Sequence, residues 1–403
     1  MSTRLKIAIA CTVPLLVVAP VVSADEADVV NLNAAMTVMH DDNLFRLAPT
    51  VNPAAFGLQG RSDTLTITSL GVNLNKTLGR QQLIGNINAV DTAYRRNSYL
   101  DYLALNYDAK WLWAVGNRWT GDVSADRIEV LNTFTDYTTS NYRQRNVRII
   151  ENESASANYW FHSSWAALVG VTRTSVQNEQ TFLAEGDYEA NGYNAGMRYR
   201  PATGNTLTVR AKQMDGKYAN RQFNTVSQFD NGFSQNGYEL DASWLLTGKT
   251  QLRSRVEYID RKHNHFAARD YSGWIGNLDL VHAVTVKSSV TFGYKRGLDA
   301  FQQQTTSYYE SDELNLSGRW NATEKISANA RVGYGARSYR GEIAPLVGEQ
   351  REDKFTRAGV DLGYKPLRWV ELKAGLNYEK RNVNYDNYDY KDRTGFVSVN
   401  AQY

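Results

Sequence analysis

The stretch that decides the fold is Trp369–Tyr403, WVELKAGLNYEKRNVNYDNYDYKDRTGFVSVNAQY. From Val370 it alternates, with Val370, Leu372, Ala374, Leu376 and Tyr378 on one side and Glu371, Lys373, Gly375, Asn377 and Glu379 on the other. A polar, tyrosine-rich segment (Asn382–Lys391) follows, then a second run with Val397, Val399, Ala401 and Tyr403 against Ser398, Asn400 and Gln402. A period of two belongs to a β-strand, whose successive side chains point to opposite faces. One face is apolar and ends in aromatics; the other carries charges and amides. A soluble sheet could alternate in this way too. An aromatic at the end of the apolar face is how a strand closing a membrane barrel ends, with the ring at headgroup depth. The hairpin is therefore expected to be the seam of an outer-membrane barrel, and Tyr403 its assembly signal.

The N-terminus agrees with that address. Arg4 and Lys6 precede an apolar run, Ile7–Val22, and Val22-Ser23-Ala24 offers small residues for cleavage before Asp25. This pattern is a secretory signal peptide, residues 1–24, which leaves 25–403 as a single barrel domain. Only Asp25–Asp28 separate it from the first expected strand, so no periplasmic domain is expected ahead of the barrel. Cys11 is the only cysteine, which leaves no disulfide framework, and no other run approaches transmembrane-helix length. Removing Arg4 and Lys6 from the 45 cations leaves 43 against 42 acids, a near-neutral balance without a nucleic-acid signature. Many tyrosines, 29 glycines and seven prolines at a polar mean hydropathy fit a barrel in which only alternate residues meet lipid.

Alternation along the chain predicts an all-β antiparallel barrel of about eighteen strands, sixteen being the nearest even alternative. Tight connections are expected at Leu78–Arg80, Asp108–Lys110, His162–Ser164, Pro201–Asn205, Thr247–Lys249, Asn321–Glu324 and Pro366–Arg368. Longer polar ones alternate with them at Asp42–Arg61, Val123–Gln144, Asp215–Asn236 and Gly341–Lys354. Short periplasmic turns alternating with long outer loops is the layout of a transmembrane barrel. Aromatics cluster beside the tight turns: Tyr107 and Trp111, Trp160 and Trp165, Tyr199, Trp244, Trp320, Tyr364 and Trp369, and Tyr403. They are expected to form a girdle at one interface.

The same alternation assigns an inward, wet face. It would carry Arg198 and Arg200, Arg210 and Lys212, Arg253, Arg255 and Glu257, Glu313, Asn315 and Arg319. On later strands it would carry Arg331, Arg337, Arg357, Asp361 and Lys373. Charges are tolerated there and costly towards lipid. These groups are the expected lumen or substrate path.

No cofactor, metal site or enzyme is expected. His263-Asn264-His265 lacks further ligands, and Asp41-Asp42-Asn43 lacks the ligand spacing of a calcium loop. His265 with Asp270 is the nearest approach to a catalytic pair. The stretch Asp41-Asp42-Asn43-Leu44-Phe45-Arg46-Leu47 with Val38-Met39-His40 before it resembles the opening of the exosortase-associated exopolysaccharide family of outer-membrane barrels, the EpsL type. That resemblance implies a part in polysaccharide biosynthesis or export. Asp41 and Asp42 with Arg46 could equally form a rim ion pair that orders the first loop, with Phe45 as its anchor.

Three functions follow as expectations. The leading one is a conduit or accessory pore for an exported polysaccharide, partnered by the lipid bilayer, the barrel assembly machinery and a periplasmic export component. A general diffusion porin for small solutes is the second. A plugged barrel whose loop tyrosines, Tyr385, Tyr388 and Tyr390, bind a partner or sugar is the third.

Overall fold

The structure, a computed structural model, describes residues 29–132, 134, 143–181, 186–226, 228–300, 306–341 and 349–403. The expected signal segment and its cleavage site lie outside the described residues. Eighteen strands run in chain order: β1 Val30–Asp41, β2 Asp63–Leu78, β3 Gln81–Tyr94, β4 Tyr102–Val115, β5 Trp119–Leu131 and β6 Val147–His162. They continue as β7 Trp165–Asn178, β8 Tyr188–Tyr199, β9 Thr206–Lys217, β10 Gly232–Thr247, β11 Thr250–His263 and β12 Tyr271–Thr285. The last six are β13 Ser288–Ala300, β14 Tyr308–Asn321, β15 Ile326–Arg340, β16 Glu352–Leu367, β17 Val370–Val383 and β18 Tyr390–Gln402. Each pairs antiparallel with the next, and β18 pairs with β1 from Asn33↔Gln402 to Asp41↔Thr394. The sheet has no free edge, which is what an apolar solvent demands of backbone N–H and C=O groups.

Register carries one apolar face round the whole cylinder. Leu32 lies opposite Val72, Val72 opposite Ile87, and Val360 opposite Leu376. Because lipid is the solvent, these side chains are exposed: Leu70 and Leu362 are 62% and 64% accessible. In water such a belt would be untenable.

The turn expected at Asp108–Lys110 does not exist. β4 runs through it, with Asp108 and Lys110 inward and Ala109 outward, and the chain reverses at Gly116-Asn117-Arg118. Gly116 takes a positive φ of 56° there, a conformation that favours glycine. The loop expected from Val123 accordingly begins only after Leu131. β9 and β10 run into the loop expected at Asp215–Asn236, which is thereby shortened to 218–231.

The aromatic girdle needs three corrections. Tyr107 lies well up the strand, Trp119 joins the set, and Trp160 faces inward. Trp160 is buried, donates its indole N–H to Thr120 Oγ1 at 2.9 Å, and lies 4.2 Å from the Arg200 guanidinium. Outward beside the turns stand Trp111, Trp119, Trp165, Trp320, Tyr364, Trp369 and Tyr403, all exposed. A second outward ring, Tyr193, Tyr238, Trp274 and Tyr334, lies nearer the loops. Ile326 and Tyr334 are eight residues apart on β15, ~26 Å along the strand at ~3.3 Å per residue. At ~40° tilt that is ~20 Å across the bilayer. Above this ring the outward face turns to ion pairs, Arg173–Glu189 at 2.8 Å and Arg296–Asp312 at 3.2 Å.

The apolar core sits in the loop-end mouth. Leu44, Phe45, Leu47, Leu65, Tyr94, Leu100 and Phe134 form one buried cluster, with the rings of Phe45 and Phe134 4.9 Å apart. The first loop, 42–62, is thus folded into the barrel.

Candidate functional site: the lumen

Asp41–Leu47 anchors that inward fold. Asn43 donates its side-chain N–H groups to the Leu47 and Lys391 carbonyls, each at 2.9 Å, and its Oδ1 accepts from Leu47 N–H at 3.0 Å. Arg46, at φ 53°, reaches both Asp41 and Asp392 at 3.0 Å. Burial alone would lower the Arg46 pKa; Asp41 and Asp392 outweigh it and raise it. Asp42 is not part of that pair: its Oδ1 accepts from Arg393 N–H at 2.7 Å. The motif therefore ties the first loop to the last strand, and Asp392 is the partner sequence reasoning missed. Three carboxylates, Asp41, Asp42 and Asp392, approach one another here. Arg46 already spans two of them, so they do not make a cation site. Arg61 completes the fold, donating to the carbonyls of Leu47 at 3.0 Å, Ala48 at 2.8 Å and Val51.

Below that loop the lumen wall is electrically asymmetric. One arc, β8–β11, turns Arg198, Arg210, Lys212, Arg253, Arg255 and Glu257 inward, as the register with Val209, Leu240 and Val256 on the opposite face requires. A second arc, β14–β17, does the same with Arg319, Arg331, Arg337, Arg357, Asp361 and Lys373. Arg200 lies just beyond β8 in the turn, over Trp160. On the remaining wall, β1–β5 present mainly asparagines and aspartates, with Asn33 and Asn88 crowding Gly71, Asp122 bonded to Ser156, and the single lysine Lys110 3.9 Å from Asp122. A solute in the lumen meets cations on one side and amides and acids on the other.

Many of the cations are braced. Glu239 receives Arg210 and Lys212, the latter at 3.1 Å, and Lys212 also reaches Glu257 at 2.9 Å. Arg255 lies 3.4 Å from Asp241, and Arg331 3.0 Å from Asp361. Arg357 bridges Glu379 at 2.6 Å and Glu313 at 3.3 Å, and Lys373 pairs with Glu371 at 3.1 Å. Arg337 stacks between Tyr309 and Phe355 at 4.9 and 4.8 Å. Among the described residues, the inward cations with no carboxylate within 4.0 Å include Arg198, held by Thr208 Oγ1 at 3.3 Å, Arg253, held by Gln251, and Arg319, held by Asn321.

Between the loop and this wall is a cavity of about 790 Å³ with Met39, Leu65, Ile67 and Tyr94 on one side and Arg46, Arg337 and Arg357 on the other. Tyr390 contributes to it but is 1% exposed and bonded to Glu379, so it is not displayed on a loop. Tyr385 donates to the Glu349 carbonyl at 2.7 Å, and Tyr388 lies 4.4 Å from the Arg351 guanidinium. His265 is paired with Asp230 at 3.0 Å, while Asp270 accepts from His263 N–H at 2.7 Å. His265 and Asp270, the nearest approach to a catalytic pair in the sequence, are therefore bonded to other partners.

A family model described as "Putative beta-barrel porin 2" matches residues 230–403. No curated protein sequence is similar to the chain. Among solved structures, OccK2 (OpdF) of Pseudomonas aeruginosa superposes with a TM-score of 0.51 at 10% identity, over 93% of this chain and 97% of that one. A BenF-like porin from Pseudomonas fluorescens Pf-5 gives 0.50 at 11% identity, over 93% and 99%. OccK2 in complex with glucuronate gives 0.50 at 11%, over 93% and 97%. At such identity the likeness is one of fold: a closed 18-stranded barrel of the outer membrane, similar to porins. The matched family description is that of a porin; the exopolysaccharide family of the sequence resemblance is not among these similarities.

Proposed function

We propose that the protein is a diffusion porin for small solutes, with an arginine-lined path that favours organic anions. The observation that carries this reading is the set Arg198, Arg253 and Arg319, cations of the inward face that no carboxylate neutralises among the described residues. They share a wet lumen with a wall, β1–β5, made mainly of amides and acids. Charges spread over several strands recruit an anion without holding it, as conduction requires. The ion-paired arginines brace the wall, and the cations without a carboxylate partner are left to act on solute. The porin family description supports the solute reading over a polymer conduit. The Asp41–Leu47 motif, the ground for the polysaccharide resemblance, has its polar groups committed to anchoring a loop.

Purified protein in a planar bilayer under a potassium chloride gradient should give channels with a reversal potential on the chloride side. Glucuronate, the ligand in one of the structures of similar fold, should reduce or carry current. Replacing Arg198, Arg253 and Arg319 with Glu should move the reversal potential towards potassium while leaving the folded yield intact. No conductance in wild type, or a reversal potential the triple variant does not move, would defeat the proposal.

A further inference from the structure

The tight turns carry an unbalanced charge. Eight turns close the periplasmic end, and seven hold a cation: Arg80, Arg118 and Arg200 in the first half, Lys249, Lys287, Lys325 and Arg368 in the second. Only Ser163-Ser164 lacks one, and Glu324 is the single acid in these turns. Among the described residues none of the seven has a carboxylate within 4.0 Å. Their polar contacts are to neutral groups: Arg80 to the Gly116 carbonyl, Arg118 to Tyr159 Oη at 3.1 Å, and Lys287 to the Ala322 carbonyl at 3.2 Å. Elsewhere the cations are commonly neutralised, as Arg357 is in the lumen and Arg145, Arg296 and Arg351 are at the loop end. The contrast makes the turn rim a cationic ring, broken only at Ser163-Ser164 and with Arg200 turned over Trp160.

Its depth names the occupant. Trp119, Trp165, Trp320 and Trp369 stand outward beside these turns, where rings mark the membrane–water interface. Arg118 and Arg368 are next to Trp119 and Trp369 in sequence, and the other turn cations cap the same end of the strands, which puts them at the level of lipid phosphates. We infer that the ring binds the headgroups of anionic phospholipids in the periplasmic leaflet and so fixes the barrel's depth. A Lys or Arg near an anionic surface favours the anionic lipid on the order of fivefold.

The test uses the full barrel in phosphatidylcholine vesicles, with quenching of its outward tryptophans by brominated phosphatidylglycerol compared with brominated phosphatidylcholine. Wild type should prefer phosphatidylglycerol about fivefold. The preference should vanish when Arg80, Arg118, Lys249, Lys287, Lys325 and Arg368 are all replaced by Gln, and persist in Arg253→Gln. If the sixfold variant does not fold, Lys249→Gln with Lys287→Gln should lower the preference partway. Equal quenching by both lipids in wild type, or an undiminished preference in the neutralised barrel, would overturn the inference. Inorganic phosphate displacing the lipid better than chloride at matched ionic strength would also overturn it, since the ring would then be a site for soluble anions.

Discussion

Arg46 joins Asp41, five residues behind it, to Asp392 on the last strand, with its side chain largely shielded from water. Removing one member leaves another's charge buried without compensation, which costs about 3–5 kcal/mol where shielding is complete and less at a rim. Arg46→Ala should therefore raise amide hydrogen exchange across residues 42–62 by at least tenfold, with the strands' exchange unchanged. Unaltered exchange would mean the apolar cluster around Phe45 holds the loop without the ion pair. Asp230 offers a second local test, through pH. It is fully buried; its carboxylate accepts from His265 Nδ1 at 3.0 Å and from the N–H groups of His265, Phe266 and Gly232. Burial pushes its pKa up, yet these donors outweigh that and hold it below the ordinary carboxylate value. A depressed folded pKa gives stability that is complete above the unfolded value, ~3.9, and lost as pH falls through the folded one. Protease sensitivity of loops 218–231 and 264–270 should thus stay constant from neutrality to about pH 5 and rise below about pH 4. Asp230→Asn should be sensitive at every pH, and a flat wild-type profile would refute the assignment.

At the scale of elements, the seam between β18 and β1 decides whether the sheet closes. Tyr403 N–H donates to the Leu32 carbonyl at 2.8 Å, and the Tyr403 ring lies on the lipid side near Trp369. Tyr403→Asp places a charge at interface depth, where the direct penalty is small, at most ~1 kcal/mol. Any large effect must then come from assembly. We expect severalfold less heat-modifiable barrel in the outer membrane, with normal channel behaviour in the fraction that folds. Wild-type yields of the Asp variant would show that the terminal ring has no part in assembly.

For the whole molecule, closure and charge asymmetry make separate predictions. The protein should fractionate with the outer membrane, give a strand-dominated circular dichroism spectrum, and migrate faster on gels before boiling than after. A strain lacking it should take up small organic anions more slowly while its surface polysaccharide is unchanged. Loss of polysaccharide with unaltered solute uptake would restore the conduit reading in place of the porin.

The period-two alternation was enough to predict a membrane barrel of eighteen strands, because a barrel wall is a local code: each residue's facing depends only on its neighbours' parity. That is why Arg253, Arg331 and Arg357 could be turned inward from sequence, with Val256, Val332 and Ala358 against lipid. The same parity could not place the reversal after β4. Asp108-Ala109-Lys110 is polar like a turn and equally polar like a lumen-facing strand, and only the pairing with β5 chose the strand. Nor could sequence find Asp392 beside Arg46, because β1 and β18 meet only when the cylinder closes, or turn Trp160 away from the girdle, which its contact with Thr120 on the paired strand β5 decides. Which lumen arginines are braced and which remain open to solute is likewise a property of closure. An ion pair across neighbouring strands depends on register, and register is set by the whole sheet.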